Sequence, residues 1–297
     1  MPELPEVETI RRGLEGLIVG ATITEVEVRL PKMVRGEVDR LIDATILTVR
    51  RRGKGLLIDL SNEYTLAVHV KMTGQLIYKE RQRRKGMQGK VKNLHPKLSA
   101  PFDLPSKHTH VIFKLKKQKS KGKSVEAFLF YNDIRQFGWL HVLPTKEIES
   151  LPFFMSLGPE PLKNLDEMIF AVILDRSKAP IKSVLMDQSR VSGVGNIYAN
   201  DALFHAGIHP LRPANELTEE ERNRLFQAVE FVLREGIKAG GASENTFLNA
   251  LGEKGFYQER FLVYNRTGKP CLHCKTPIER IVVGGRGTFF CPSCQLL

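Results

Sequence analysis

The chain opens with residues 1–18, MPELPEVETIRRGLEGLI, and this stretch decides how the fold begins. Its apolar residues recur at helical spacing, at Val7, Ile10, Leu14 and Leu17. The pattern predicts an amphipathic helix from Glu6 to Ile18. Pro2 and Pro5 lie at its entrance, where a backbone N–H is not needed for helical hydrogen bonds.

After this helix the sequence changes to short apolar, partly alternating runs, which are typical of β-strands. They cover residues 21–30, 45–51, 55–60, 66–70, 75–78, 110–115, 127–131 and 138–143. We interpret them as the strands of a sandwich-like or barrel domain. A polar, basic stretch rich in glycine and proline, residues 79–106, is predicted to be a long loop inserted between two strands.

The four cysteines form two CxxC pairs near the end of the chain, Cys271 with Cys274 and Cys291 with Cys294, separated by 16 residues. Two such pairs present four thiolates in a tetrahedron, so the spacing predicts a zinc ribbon. A pair of disulfides is the alternative, and the lack of a secretion signal disfavours it. The four thiolates leave no ligand position open for a substrate or water, so we expect one structural Zn²⁺.

Between about Pro152 and this ribbon the pattern is helical, in residues 165–174, 181–186, 197–206 and 218–238. Thr218 and Glu221 have the spacing of a capping box for the last helix. A glycine-bearing segment, residues 239–255, is predicted to be a mobile loop. We therefore expect an α+β protein with a β-rich catalytic domain in residues 1–150, a helical domain in 151–262 and a zinc-ribbon hairpin in 263–297.

Composition and charge narrow the class of protein. The 297 residues are 42% hydrophobic and 26% charged, as in ordinary globular proteins. No apolar run is long enough to cross a bilayer, and the acidic N-terminus is unlike a secretory signal, so we expect a cytoplasmic protein. The net charge of +12 suggests a polyanionic partner. However, residues 79–124 carry 15 basic and two acidic residues, which is the whole excess, and such lysine-rich runs are more often solvated loops.

The second residue offers a reactive group. A small residue after Met1 usually permits removal of the methionine, which leaves Pro2 as a secondary amine. An α-amine titrates near ~8, against ~10.4 for lysine, so more of it is neutral and able to attack an aldehyde-like carbon. The alternative is that Pro2 only opens the helix. Glu3 and Glu6 favour chemistry, because carboxylates beside an amine can donate a proton and orient water.

The motif PELPEVET, residues 2–9, resembles the N-terminus of the formamidopyrimidine-DNA glycosylases, bacterial enzymes that excise 8-oxoguanine and ring-opened purines. Further blocks follow in the order of the family: RRGKG at 51–55, HVKMTG at 69–74, RQFG at 135–138, LGPEPL at 157–162, GVGNIYA at 193–199 and the terminal ribbon. The resemblance implies a helix–two-turn–helix motif in the helical domain. It also implies damaged duplex DNA as the partner of a monomer acting at the nucleoid.

The resemblance also implies catalytic roles. Pro2 is the expected nucleophile at the anomeric carbon, and Glu3 is the acid that opens the sugar ring, with Glu6 in support. In this family the base leaves first and both flanking phosphates are then eliminated. Lys54 is expected to assist the first elimination and Arg286 the second, although both are equally suited to be simple phosphate clamps.

Other matching positions imply DNA contacts. Lys54 and Arg286 are joined in the phosphate-contacting set by His69, Asn196 and, more weakly, His108. The glycines before Asn196 permit a tight turn whose N–H groups, at the start of a helix, can receive an anion. Met72, Arg135 and Phe137 match the three residues that fill the gap left by an extruded nucleotide. Without the resemblance, Met72 and Phe137 would be interpreted as core residues.

The sequence departs from the family pattern in two places. Gln136 is neutral where the family often has a cation, and the insertion at 79–106 exceeds the usual loop and has no role to carry over. The lesion-recognition loop aligns with roughly residues 240–257, where individual roles cannot be assigned. The rival interpretations are an endonuclease VIII-like glycosylase for oxidised pyrimidines and a non-catalytic zinc-ribbon DNA-binding protein. Retention of Pro2 and Glu3 disfavours the latter.

Overall fold

The computed structural model describes residues 1–81, 104–118 and 124–297, and it confirms the predicted α+β class. The helices are α1 (Leu4–Ile18), α2 (Pro152–Met155), α3 (Glu167–Asp175), α4 (Ile181–Met186), α5 (Asn196–Ala206) and α6 (Glu219–Lys238). The strands are β1 (Ala21–Val28), β2 (Val34–Gly36), β3 (Ile46–Arg52), β4 (Gly55–Leu60), β5 (Tyr64–His69), β6 (Gly74–Glu80), β7 (Thr109–Gln118), β8 (Ser124–Asp133), β9 (Trp139–Pro144), β10 (Glu279–Val283) and β11 (Arg286–Phe290).

The chain groups into two compact units. Unit 1 contains Met1–Pro2, Glu6–Phe154 and Gly240–Gly255, and unit 2 contains Glu3–Pro5, Met155–Ala239 and Phe256–Leu297. The segment predicted as a mobile loop therefore belongs largely to unit 1. The domain limits given above remain predictions.

Unit 1 is built from two sheets and most of α1. One sheet has the order β1-β7-β8-β6 and is antiparallel. The other has the order β2-β9-β5-β4-β3, in which the β2–β9 pair is parallel and the remaining pairs are antiparallel. The main hydrophobic core combines apolar residues of α1 with residues from both sheets.

Helix α1 begins at Leu4, two residues before the start that the apolar spacing predicts. Its buried face consists of Val7, Ile10, Leu14 and Ile18. Leu17 is only partly buried against this core. The helical period is thus confirmed, and the face is centred slightly away from the predicted one.

The strands match the predicted apolar runs well. Strands β4 and β5 are the clearest case, because they are buried along most of their length on both faces. The short strand β2 was missed, since three residues give too little pattern. Strand β6 continues to Glu80, because Lys79 and Glu80 still pair with β8. The predicted loop therefore starts later than residue 79, and most of it, residues 82–103, lies outside the described residues.

Unit 2 contains α3 to α6 and the hairpin β10–β11, whereas α2 lies at the boundary with unit 1. The four predicted helices correspond to α3, α4, α5 and α6 within a few residues at each end. The capping box before α6 is confirmed: the Thr218 hydroxyl accepts from the Glu221 N–H at 3.2 Å, and the Glu221 carboxylate accepts from the Thr218 N–H at 2.9 Å.

The helices were also compared with the length and hydropathy that a bilayer requires. Within residues 1–81, 104–118 and 124–297, no helix is both long and apolar enough to span a membrane.

Loss of the capping box is expected to destabilise the protein. Replacing Thr218 by Ala leaves an N–H of the first turn of α6 without its acceptor, and the free energy of unfolding should fall by about 1 kcal/mol. Thr218→Ser keeps the hydroxyl and serves as the control. Urea unfolding of both variants measures the difference, and equal stabilities would show that the box contributes nothing.

Candidate functional site

The N-terminal residues differ sharply in exposure. Met1 is 50% exposed, whereas Pro2 is buried at the start of the chain. While Met1 is attached, the nitrogen of Pro2 belongs to a peptide bond and is not nucleophilic. An amine at this buried position therefore requires removal of Met1.

Glu3 is 3% exposed, and its carboxylate lies at the N-terminus of helix α5. It accepts hydrogen bonds from the N–H of Ile197 at 2.9 Å and of Tyr198 at 3.5 Å. A helix N-terminus offers free N–H groups and a partial positive charge, so it favours the ionised form of a carboxylate. Gly195 makes room for this contact, since a Cβ there would lie 2.4 Å from Cδ of Glu3.

The Glu3 carboxylate is the anion that meets the N–H groups near Asn196. The turn before Asn196 was expected to offer N–H groups to an anion, and two N–H groups of the following helical turn donate to the carboxylate of the protein's own Glu3. The side chain of Asn196 donates from Nδ2 to the carbonyl of Gly287 at 3.1 Å. Asn196 therefore links α5 to the hairpin strand β11.

Glu6 is 1% exposed and contacts the segment predicted to be a loop. Its carboxylate accepts from the N–H of Ala242 at 2.7 Å. The neighbouring Gly241 has φ +81°, and a Cβ there would lie 2.9 Å from Cγ of Glu6. Helix α1 thus holds the start of this segment in place through one buried carboxylate.

Lys54 lies in the tight turn between β3 and β4 and is 4% exposed. The preceding Gly53 has φ +55°. Arg51 fixes this turn, because its guanidinium donates to the carbonyl of Gly53 at 2.9 Å and to the Glu8 carboxylate at 3.1 Å. Burial alone would raise the pKa of Glu8, but hydrogen bonds from Arg11, Arg12 and Arg51 outweigh it and lower that pKa. The sequence analysis missed this supporting network.

His69, at the end of β5, is 3% exposed. Its Nδ1 accepts from the N–H of Lys71 at 2.9 Å, which places the proton of the neutral ring on Nε2. Burial, followed by the charges of Lys71 and Lys54, lowers the pKa of His69 to about 3. The residue is therefore an uncharged hydrogen-bond donor at neutral pH.

The three residues predicted to fill an emptied stack lie together on the surface of unit 1. Met72 is 40% exposed and Phe137 is 54% exposed, so neither is a core residue. The guanidinium of Arg135 donates to the sulfur of Met72 at 3.0 Å and lies 4.7 Å from the centre of the Phe137 ring. Two exposed apolar side chains from different loops therefore flank one cation.

For His108 and Gln136 the structure shows local backbone contacts and conformation. His108 is partly exposed, its N–H donates to the Ser106 hydroxyl at 3.1 Å, and its carbonyl accepts from the N–H of Asp133 at 3.0 Å. Gln136 is exposed and has φ +56°, as expected in a tight turn between Arg135 and Phe137. No pattern in the sequence predicts this backbone conformation.

The four cysteines come together around β10 and β11. Their Sγ atoms all lie within 4.8 Å of one another, with Cys271–Cys294 at 3.9 Å and Cys274–Cys291 at 3.4 Å. These separations are too long for disulfides and close to the edge of a tetrahedron with Zn–S bonds of about 2.3 Å. The donor set fits one structural zinc ion.

Arg286 begins β11 and is exposed.

Two further residues of unit 2 were not singled out by the sequence. Lys182 of α4 is fully buried, and its Nζ donates to the Gly287 carbonyl at 3.0 Å and the Thr288 hydroxyl at 2.6 Å. Burial lowers the pKa of Lys182 to about 7; Glu3 opposes this change and Arg286 adds to it. Asp201 of α5 accepts from three successive N–H groups, those of residues 262–264, at 3.1–3.2 Å. Neither position stands out from its apolar neighbours in sequence.

Comparison with known families covers almost the entire chain. Residues 1–140 match the formamidopyrimidine-DNA glycosylase N-terminal domain, residues 157–247 match the H2TH domain of the same enzymes, and residues 268–296 match a zinc finger found in FPG and IleRS. The predicted helix–two-turn–helix motif and zinc ribbon are thereby confirmed.

Individual relatives agree with the family models. The chain is 43% identical to formamidopyrimidine-DNA glycosylase from Pelotomaculum thermopropionicum, with 99% of each chain covered. It is 38% identical to the enzyme of the same name from Streptococcus pneumoniae, again with 99% of each covered. Among solved structures, Lactococcus lactis Fpg bound to abasic-site DNA superposes with a TM-score of 0.81 at 34% identity, covering 99% of this chain and 100% of that one. The chain belongs to the formamidopyrimidine-DNA glycosylase family.

Proposed function

We propose that this DNA glycosylase excises oxidised purines, 8-oxoguanine and formamidopyrimidines, from duplex DNA and then cleaves the abasic site by β,δ-elimination. The full-length family match supports the substrate class. The observation that carries the chemistry is the buried Glu3, next in sequence to Pro2, whose carboxylate is held by two N–H groups of α5. An oriented carboxylate adjacent to an amine suits acid–base chemistry at a sugar.

The amine of Pro2 is the proposed nucleophile once Met1 is removed. In its neutral form it attacks C1′ of the lesion nucleotide, and the bond from C1′ to the base breaks as the base leaves with the proton that the attacking amine gives up. Protonation of the ring oxygen by Glu3 then breaks the bond between that oxygen and C1′. The product is an iminium between C1′ and the proline nitrogen, which withdraws electrons from the sugar.

Glu3 needs a proton before it can act as the acid, because its hydrogen bonds at the start of α5 favour the carboxylate. An α-ammonium group releases its proton near ~8, so at neutral pH a fraction of the Pro2 amine is neutral and able to attack.

The iminium allows the two eliminations. Loss of a proton from C2′ expels the phosphate at C3′, and a second elimination expels the phosphate at C5′, which leaves a one-nucleoside gap. We assign Lys54 to the first step and Arg286 to the second. The arginine-braced turn around Lys54 and the exposed position of Arg286 support these roles. Glu6 supports the site through the N–H of Ala242.

The DNA backbone is contacted, in this proposal, by Lys54, Arg286, His69, Asn196 and His108. His69 offers Nε2–H without a charge, and Asn196 keeps a second hydrogen on Nδ2 beside the one donated to Gly287. Met72, Arg135 and Phe137 fill the space of the extruded nucleotide. Their joint exposure supports this role, because apolar side chains inserted at a base step offset the cost of unstacking.

The remaining requirements follow from the same assignment. One structural Zn²⁺ held by the four cysteines supports the hairpin that carries Arg286, and the partner is damaged double-stranded DNA, bound by a monomer. We place the enzyme in the bacterial cytoplasm, where it acts at the nucleoid.

Covalent trapping tests the nucleophile. Borohydride added during turnover should reduce the iminium and leave the protein cross-linked to lesion DNA, with the adduct in the N-terminal peptide. Intact-mass measurement should show that Met1 is absent from the reacting molecules. Glu3→Gln should lose most base excision yet still be trapped by a preformed abasic site, whose sugar already opens without the acid. An adduct on Lys54 instead of Pro2 would show that Pro2 is not the nucleophile.

Competition between duplexes tests the substrate class. We expect faster single-turnover excision of 8-oxoguanine or a ring-opened purine, placed opposite cytosine, than of thymine glycol or dihydrouracil. Arg135 is the residue expected to bond the orphaned cytosine. Lactococcus lactis Fpg has also been solved with DNA containing an oxidised pyrimidine, so the pyrimidine arm is a real alternative. Preference for pyrimidine lesions would transfer the assignment to an endonuclease VIII-like enzyme.

The contribution of His69 to DNA affinity should not change between pH 5.5 and pH 8. Because its pKa is lowered to about 3, the ring stays neutral across this range and does not release a proton as pH rises. The ratio of dissociation constants between His69→Ala and the unaltered protein, measured at constant salt, should therefore be flat. A ratio that grows as pH falls through 6.5 would mean that the bound ring is charged.

A further inference from the structure

The three residues proposed to fill the emptied stack come from two separate loops. Met72 lies between β5 and β6, and Arg135 and Phe137 lie between β8 and β9. The side chains meet across the two loops where Arg135 donates to the sulfur of Met72 at 3.0 Å, but one exposed contact is a weak constraint on the separation of two loops. Something beneath them must hold the loops together if they are to enter one base step.

Asp133, the last residue of β8, lies beneath both loops and is 0% exposed. One carboxylate oxygen accepts from the hydroxyl of Thr73, the neighbour of Met72, and from the N–H of Arg135 at 3.1 Å. The other oxygen accepts from the N–H of Gly138 at 2.8 Å. A single carboxylate therefore binds both ends of the turn 135–138 and, through Thr73, the facing loop.

Two further contacts complete this arrangement. The oxygen of Thr73 also accepts from the N–H of Arg135 at 3.0 Å, so the two loops are joined directly as well as through Asp133. A Cβ on Gly138 would lie 2.8 Å from the carbonyl oxygen of His69, so the turn closes tightly against the end of β5. The backbone of Asp133 is fixed in turn, since its N–H donates to His108 and its carbonyl lies 2.7 Å from Nε2 of His110.

We infer that Asp133 is a positioning residue for nucleotide extrusion: its carboxylate, with the Thr73 hydroxyl, sets the spacing between Met72 and the pair Arg135 and Phe137. This inference rests on the proposed role of those three residues. Asp133 touches neither the sugar nor the base. Its effect reaches the DNA only through the loops that it holds.

Replacing Asp133 by Asn tests the inference because the side chain keeps its shape and loses one acceptor. An amide has a single oxygen, so either the Gly138 arm or the Thr73 and Arg135 arm must face an N–H₂ group. Thr73→Val removes the hydroxyl from the other side of the contact, and Thr73→Ser restores it. Asp59→Asn is the matched control, since Asp59 bonds Thr65 and Arg50 and neither loop.

Two readouts separate positioning from general damage. The first is single-turnover excision from duplex DNA with cytosine opposite the lesion and 2-aminopurine as the base next to it, whose fluorescence reports unstacking. The second is borohydride trapping on an abasic site in a single strand, which needs no extrusion. Asp133→Asn and Thr73→Val should slow duplex excision and the fluorescence change by about 10- to 100-fold, the scale expected from misplacement by ~1 Å. Trapping should change by less than about 2-fold, and Thr73→Ser and Asp59→Asn should leave both readouts near those of the unaltered protein.

The outcomes are distinguishable. Equal losses in both readouts, or none in either, for Asp133→Asn and Thr73→Val would overturn the inference. If Asp133→Asn does not fold, the comparison of Thr73→Val with Thr73→Ser decides alone. Failure of the unaltered protein to excise purine lesions, or to be trapped, would instead overturn the proposed function.

Discussion

The carboxylate of Glu3 on the first N–H groups of α5 is the interaction on which the candidate site depends. It fixes the third residue of the chain, and the N–H of Leu4 bonds the Gly193 carbonyl at 3.0 Å beside it. These two contacts anchor the third and fourth residues of the chain. Gly195 is required for the first of them, since any side chain there would displace the carboxylate. The segment next to the proposed nucleophile, at a chain end that is normally the least ordered part of a protein, is in this way held in place.

Buried carboxylates bound to backbone N–H groups recur at each functional segment. Glu6 holds Ala242, Asp133 holds the turn from Arg135 to Gly138, and Asp201 holds residues 262–264 ahead of the zinc hairpin. Each carboxylate satisfies donors that would otherwise cost about 1–3 kcal/mol apiece when buried. At Asp201, burial raises the pKa to about 6 even though the N–H bonds oppose the change. In these segments the buried carboxylates act together with apolar packing, since Phe247, Ala250 and Val263 also belong to hydrophobic clusters.

The sequence predicted features that rest on repeated patterns, namely the apolar face of α1, most strands, the four larger helices and the tetrahedral cysteine set. It did not predict features that depend on one side chain meeting distant backbone. Lys182 and Asp133 have no signature in their own segments, because their partners lie elsewhere in the chain, at Thr288 and Thr73. Hydrophobicity alone would have placed Met72 and Phe137 in the core, and only the family resemblance identified them as surface residues. The start of α1 was misplaced by two residues because Pro5 is as compatible with the first turn of a helix as with its entrance.

The neutral state of His69 has a consequence for how the affinity for DNA responds to salt. Affinity for DNA falls with added salt in proportion to the number of phosphate charges that cations neutralise, because each such contact releases a bound counterion. The proposed contact through the uncharged Nε2–H of His69 releases none, so its hydrogen bond keeps its strength in concentrated salt while the proposed contacts of Lys54 and Arg286 weaken. The part of the binding energy that resists salt is the part that depends on the geometry of the backbone around one nucleotide. Rising ionic strength therefore weakens random attachment along the duplex more than it weakens the seated complex.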